Sequence, residues 1–264
     1  MSEENTETDR GTKGNLLEAY LGHYTILKFS GTTDSEPTGN TYLLAVVGAI
    51  VALVTFALLF VTELIESVLD YCAPLECLLA LGIPIVLYKF TTIGAMSRVA
   101  DRAFPSQRTG NGLGVAGVFA IVTSVLFLYG IYQMLGAVFI VLLAPIVEIC
   151  AVHALITAAV FRMDRSESDG ISADMTDLIK SFVISLVTAI VVVSITGLIY
   201  GFLDVKIIIL CVAAVAIATA VGFILIKVMN SKAEHLDNEL VFSILEFSKP
   251  LVVIIILAVC AVIL

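Results

Sequence analysis

Charged side chains are scarce in this chain, 14% of 264 residues, so those lying inside or beside long apolar runs are the first candidates for chemistry. Asp101 sits in Ser97-Arg98-Val99-Ala100-Asp101-Arg102, with one arginine three residues before it and another beside it. A carboxylate at a helix end can hold Mg2+ while arginines take phosphate oxygens, the division of labour that phosphoryl transfer requires. The alternative is a solvated helix end with a local ion pair worth little. Arg108 follows, and then Thr109-Gly110-Asn111-Gly112-Leu113-Gly114, whose backbone N–H groups would meet phosphate at a helix start. Glycine between helices is equally a plain connector.

Three further carboxylates stand out. Glu239 and Glu246 are seven residues apart, on one helix face and about 10 Å from each other, with Lys249 three residues beyond Glu246 and able to pair with it. A juxtamembrane polar face explains the same spacing. Glu148 falls near the middle of an apolar run, in Ala144-Pro145-Ile146-Val147-Glu148, at a depth where an ionisable group must be neutralised, paired or wet. It is either a functional residue, the intramembrane carboxylate of a small transporter, or a protonated group bonded to a neighbouring helix. His153, five residues on, is turned away from Glu148 and reads as a satisfied bundle histidine.

The elements that must position these residues follow from composition. With 59% hydrophobic residues the chain has the makeup of an all-α polytopic membrane helix bundle. A span needs about 20 apolar residues. Seven segments meet that length: 42–64, 74–95, 113–135, 137–161, 182–203, 207–226 and 240–264, the second interrupted by Glu76, Pro84 and Lys89. Between the second and third, residues 89–112 read as a polar loop. Residues 1–40 read as a polar tail carrying an interfacial amphipathic helix at about 15–29, and residues 41–264 as the transmembrane domain. The first thirty residues have no positive stretch followed by an apolar one, so the first span is expected to target the chain. Thirteen of the fourteen lysines and arginines fall on the side of the N-terminus, with Lys206 alone opposite, which orients the N-terminus to the cytoplasm of a multi-pass cell-membrane protein. A net charge of -9 argues against a nucleic-acid partner. The five cysteines lie in or beside apolar runs without a C-x-x-C pair and read as small buried side chains. The oligomeric state is open.

Taken in order, the segments resemble the cobalamin synthase family (adenosylcobinamide-GDP ribazoletransferase), from about Leu16 to the C-terminus. The family signature LDGLADTxDG is matched by residues 96–105, where the central Ala100 and Asp101 remain, while Ser97 and Phe104 stand in place of aspartates. A DSRxGTxG pattern is similar to the glycines at 110, 112, 114 and 117. The family's Ala-Pro followed by Ser-Arg is similar to Ala144-Pro145 followed by Glu148-Ile149, and its EGLG loop to Asp169-Gly170-Ile171-Ser172. The closing GDTLGAxxExxE resembles residues 238–249, with Glu239 and Glu246 acidic and Lys249 in place of the last glutamate. The resemblance implies Mg2+-assisted attack of a ribazole hydroxyl on the phosphate linked to cobinamide, with GMP leaving. Asp101, Glu239 and Glu246 would then be catalytic, Asp101 and Glu246 holding the metal. Arg98, Arg102, Arg108, Gly112, Gly114 and Asp169 would bind a corrinoid and nucleotide substrate in the lipid bilayer. Two other expectations stand beside it: a non-catalytic paralogue that binds a corrinoid or lipid or scaffolds membrane enzymes, and a small transporter built on Glu148.

Overall fold

Runs of Leu, Ile, Val and Ala without charge satisfy their backbone internally as helices, and a computed structural model of the chain shows this for every described apolar segment. It describes residues 12–27, 40–69, 75–104, 114–162, 171–201, 204–230 and 238–263, and among these there is no strand. The helices are α1 (Thr12–Tyr24), α2 (Leu43–Leu69), α3 (Leu75–Leu87), α4 (Thr91–Ala103), α5 (Val115–Gln133), α6 (Ala137–Phe161), α7 (Met175–Tyr200), α8 (Val205–Asn230) and α9 (Asn238–Ile263). Six are long and apolar enough to cross a membrane; α3 and α4, bent by 87° at their junction, make a seventh when counted as one broken span. Large apolar side chains such as Phe119, Leu126 and Leu198 are 63–76% exposed, as a lipid-facing surface requires.

The bundle is organised around α6. Of its most apolar stretch 89% is buried, against 17% for α5, which lies at the periphery. Helices α2, α3, α7, α8 and α9 all pack on it. Small residues allow the close approach. A Cβ at Gly48 of α2 would strike Val152, and one at Gly222 of α8 would strike the Ala154 backbone. His153 joins three helices, its Nδ1 lying 2.9 Å from Ser181 Oγ of α7 and its Nε2 2.9 Å from Thr219 Oγ1 of α8.

Two elements differ from the sequence expectation. Residues 91–103 are helical rather than loop. Thr92, Ala95, Met96, Val99 and Ala100 recur at the spacing of one helix face and are buried, while Arg98 and Arg102 are outside. The stretch escapes a search for long apolar runs because only this one face is apolar. The break that precedes it runs through Lys89 (φ 53°) and Phe90 (φ 60°), left-handed positions costly for residues with a Cβ. Lys89 holds the turn against α1, donating from Nζ to the carbonyls of Gly22 at 2.5 Å and His23 at 3.2 Å, at the end of a helix where a cation is favoured. The helix expected at about 15–29 runs from Thr12 to Tyr24, and it buries Tyr20, Leu21 and Tyr24 in the bundle.

Candidate functional site

Helix α4 is the element that gathers the polar residues. It runs antiparallel to α9, with Thr92 beside Glu246 and Arg102 beside Glu239. It also runs antiparallel to the start of α5, where Asp101 meets Gly114. The C-terminal turn of α4 and the first turns of α5 and α9 therefore form one polar end.

At that end Asp101 is 8% exposed and accepts two backbone N–H bonds, from Gly114 to Oδ2 at 2.6 Å and from Gly117 to Oδ1 at 2.7 Å. It does for α5 what an N-cap side chain usually does, since Gly114 at the cap position has none. The glycines are what permit the contact. A Cβ at 114 would fall on the Asp101 carboxylate, and one at 117 on Ser97 Oγ, a buried hydroxyl without a hydrogen bond. Glu239 is held by both arginines, Arg98 Nε at 2.6 Å and Arg102 Nη2 at 2.7 Å. The two arginine side chains are about half exposed, 50% and 48%.

Glu246 lies deeper. Its Oε1 accepts from Thr92 Oγ1 at 2.7 Å and from Lys249 Nζ at 3.0 Å, and the same ammonium is 3.0 Å from Glu148 Oε2 on α6. All of these residues are at least nine-tenths buried. Tyr88, in the α3–α4 break, faces Glu148, yet neither its hydroxyl nor Glu148 Oε1 meets hydrogen-bond geometry. Two crevices flank this group. One is lined by Ile85, Met96, Ser124, Glu246 and Lys249, the other by Tyr24, Tyr88, Thr91 and Thr92, and each has room for about 20 Å³, a single water.

The sequence-derived residues thus divide into two groups. Asp101, Gly114, Arg98, Arg102 and Glu239 share the polar end; Glu246 joins Glu148 in the interior. Thr92 is level with Glu246, and Asp101 is nine residues further along α4, about 13 Å. As placed, Asp101 and Glu246 do not converge on one Mg2+ ion: Asp101 is turned to α5 and Glu246 to Lys249. Among the described residues no three His, Cys, Asp or Glu side chains are grouped to hold a metal. Arg108, Gly112 and Asp169 lie outside the described residues.

The i,i+3 pairing of Glu246 with Lys249 agrees with the sequence reading. The link from Lys249 to Glu148 does not follow from either helix alone. The sequence offers only a lone glutamate in one span and, in another, a lysine already paired with Glu246. No family model, no curated protein and no solved structure matches this chain.

Proposed function

We propose that the chain is a divergent relative of the cobalamin synthases that binds a phosphate-bearing corrinoid at its polar end without turning it over. It would sit in the cell membrane with that end in the cytoplasm, as the lysine and arginine asymmetry requires. The observation that carries the reading is the commitment of Asp101. The aspartate kept from the family signature spends both oxygens capping α5, while its neighbours Arg98 and Arg102 remain half exposed at the same end. Guanidinium donors facing outward suit phosphate oxygens. A carboxylate already holding two N–H groups is poorly suited to Mg2+, and among the described residues no three metal-ligating side chains are grouped around it.

Two departures from the family pattern also compensate each other. Lys249 stands where the pattern has glutamate, Glu148 stands in the pair where it has serine and arginine, and their side chains are joined at 3.0 Å. Such paired change supports descent from that pattern with altered chemistry.

The test uses purified full-length protein in lipid nanodiscs. Adenosylcobinamide-GDP, followed by its corrinoid absorbance, is expected to bind, and Arg98→Ala with Arg102→Ala to weaken binding about tenfold or more. With ribazole phosphate and Mg2+ present, no GMP should appear. Mg2+-dependent GMP release would overturn the non-catalytic reading, and absence of corrinoid binding would remove the corrinoid, leaving an anionic lipid headgroup as the ligand to try.

A further inference from the structure

The interior cluster lies apart from the polar end, and its charges do not balance. Glu148 and Glu246 carry two negative charges against the single ammonium of Lys249, and all three are buried, at 2%, 4% and 6% exposure. A net charge at that depth is costly, so the cluster calls for one more positive charge. The first turn of α4 supplies part of it at Glu246, through Thr92 and the N-terminal end of the helix dipole. At Glu148 the Oε1 is faced by the Tyr88 hydroxyl, 4% exposed and outside good hydrogen-bond geometry, a neutral group that does not balance the charge.

We propose that Glu148, Glu246, Lys249 and Tyr88 form an intramembrane site that binds one exchangeable proton, carried on Glu148 Oε1 and donated to Tyr88 Oη. Protonation forms one O–H bond on Glu148 as a hydronium ion gives up one of its own, and takes the cluster from a net charge of one negative to neutral. Before it the Tyr88 O–H faces the carboxylate as donor, and after it the carboxyl O–H is the donor and the phenol oxygen the acceptor. The proton comes from water. Two crevices, each with room for one water, border the cluster, one at Glu246 and Lys249 and the other at Tyr88 and Thr92, and a water in either brings an exchangeable proton to it. Among the described residues the titratable groups facing Glu148 are Lys249 and Glu246 of α9 and Tyr88 after α3, with Tyr132 of α5 beyond them. His153 is bonded to Ser181 and Thr219 instead.

Infrared difference spectroscopy of the protein in nanodiscs, stepped between mildly alkaline and mildly acidic pH, tests this. The expected result is a protonated-carboxyl band that grows on acidification and shifts in heavy water. It is lost in Glu148→Gln, and it is retained but shifted in Tyr88→Phe, which no longer accepts the bond. Wild-type protein carrying carbon-isotope-labelled glutamate assigns the band to glutamate without any substitution, so the test survives a variant that does not fold. A band present at every pH and unmoved by heavy water would mean a permanent structural proton and overturn the proposal. So would the absence of any glutamate band, or a response to sodium in place of protons.

Discussion

Two arginines share one glutamate at the polar end, and two glutamates share one lysine in the interior, so the molecule contains the same kind of three-charge group twice with the proportions reversed. The outer group, Arg98, Arg102 and Glu239, is half open to solvent and has two cations on one anion, with Asp101 at the same end. The inner group, Glu148, Glu246 and Lys249, is closed and carries excess negative charge. Water screens the outer group, so its arginines can exchange Glu239 for a ligand at little cost. The inner group is closed except for room for single waters beside it, so its members depend on one another and the further positive charge is taken up as a proton. Exposure, more than residue type, separates an adaptable ligand surface from a proton site.

The largest effect is expected from breaking the inner group. Lys249→Met leaves two buried carboxylates without their cation and should destabilise the protein by about 3–5 kcal/mol, read as unfolding in mixed micelles of fixed composition. Adding Glu148→Leu to it should recover part of that loss; a purely additive double variant would show that the two do not interact. At the polar end, Gly114→Ala drives a Cβ into the Asp101 carboxylate and should cost about 1–3 kcal/mol in the same assay. Asp101→Asn removes the charge from the cap of α5 while keeping one acceptor, for a loss of about 1–2 kcal/mol; metal-dependent stabilisation of the wild type, absent from this variant, would instead restore Asp101 as a metal ligand. Smallest is Glu239→Gln, which releases two half-exposed arginines and should change stability by less than about 1 kcal/mol. It should tighten binding of an anionic ligand, and weaker binding would show that Glu239 positions the arginines.

Long apolar runs made most of the fold legible. The helices over 137–161 and 238–263 follow from the count of apolar residues needed to cross lipid, with Glu148 marked as an anomaly inside one of them. The hairpin turns at Gly136 and at Asp204 follow from the interruptions between runs. Helix α4 was harder to see, because an apolar face four residues wide leaves no run, and its 87° bend from α3 depends on Lys89 finding the carbonyl end of α1, over sixty residues away in the chain.

Sequence alone determined that this is an all-α membrane protein and which few side chains are ionisable, since both depend on composition and local spacing. Only the tertiary structure decided who neutralises whom. Asp101 caps α5, because α4 and α5 pack antiparallel at two glycines. Glu148, whose partner the sequence leaves open, is joined to Lys249, because α6 lies against α9. In lipid a buried charge is defined by its partner, and partners on different helices are chosen by packing, which no single segment encodes.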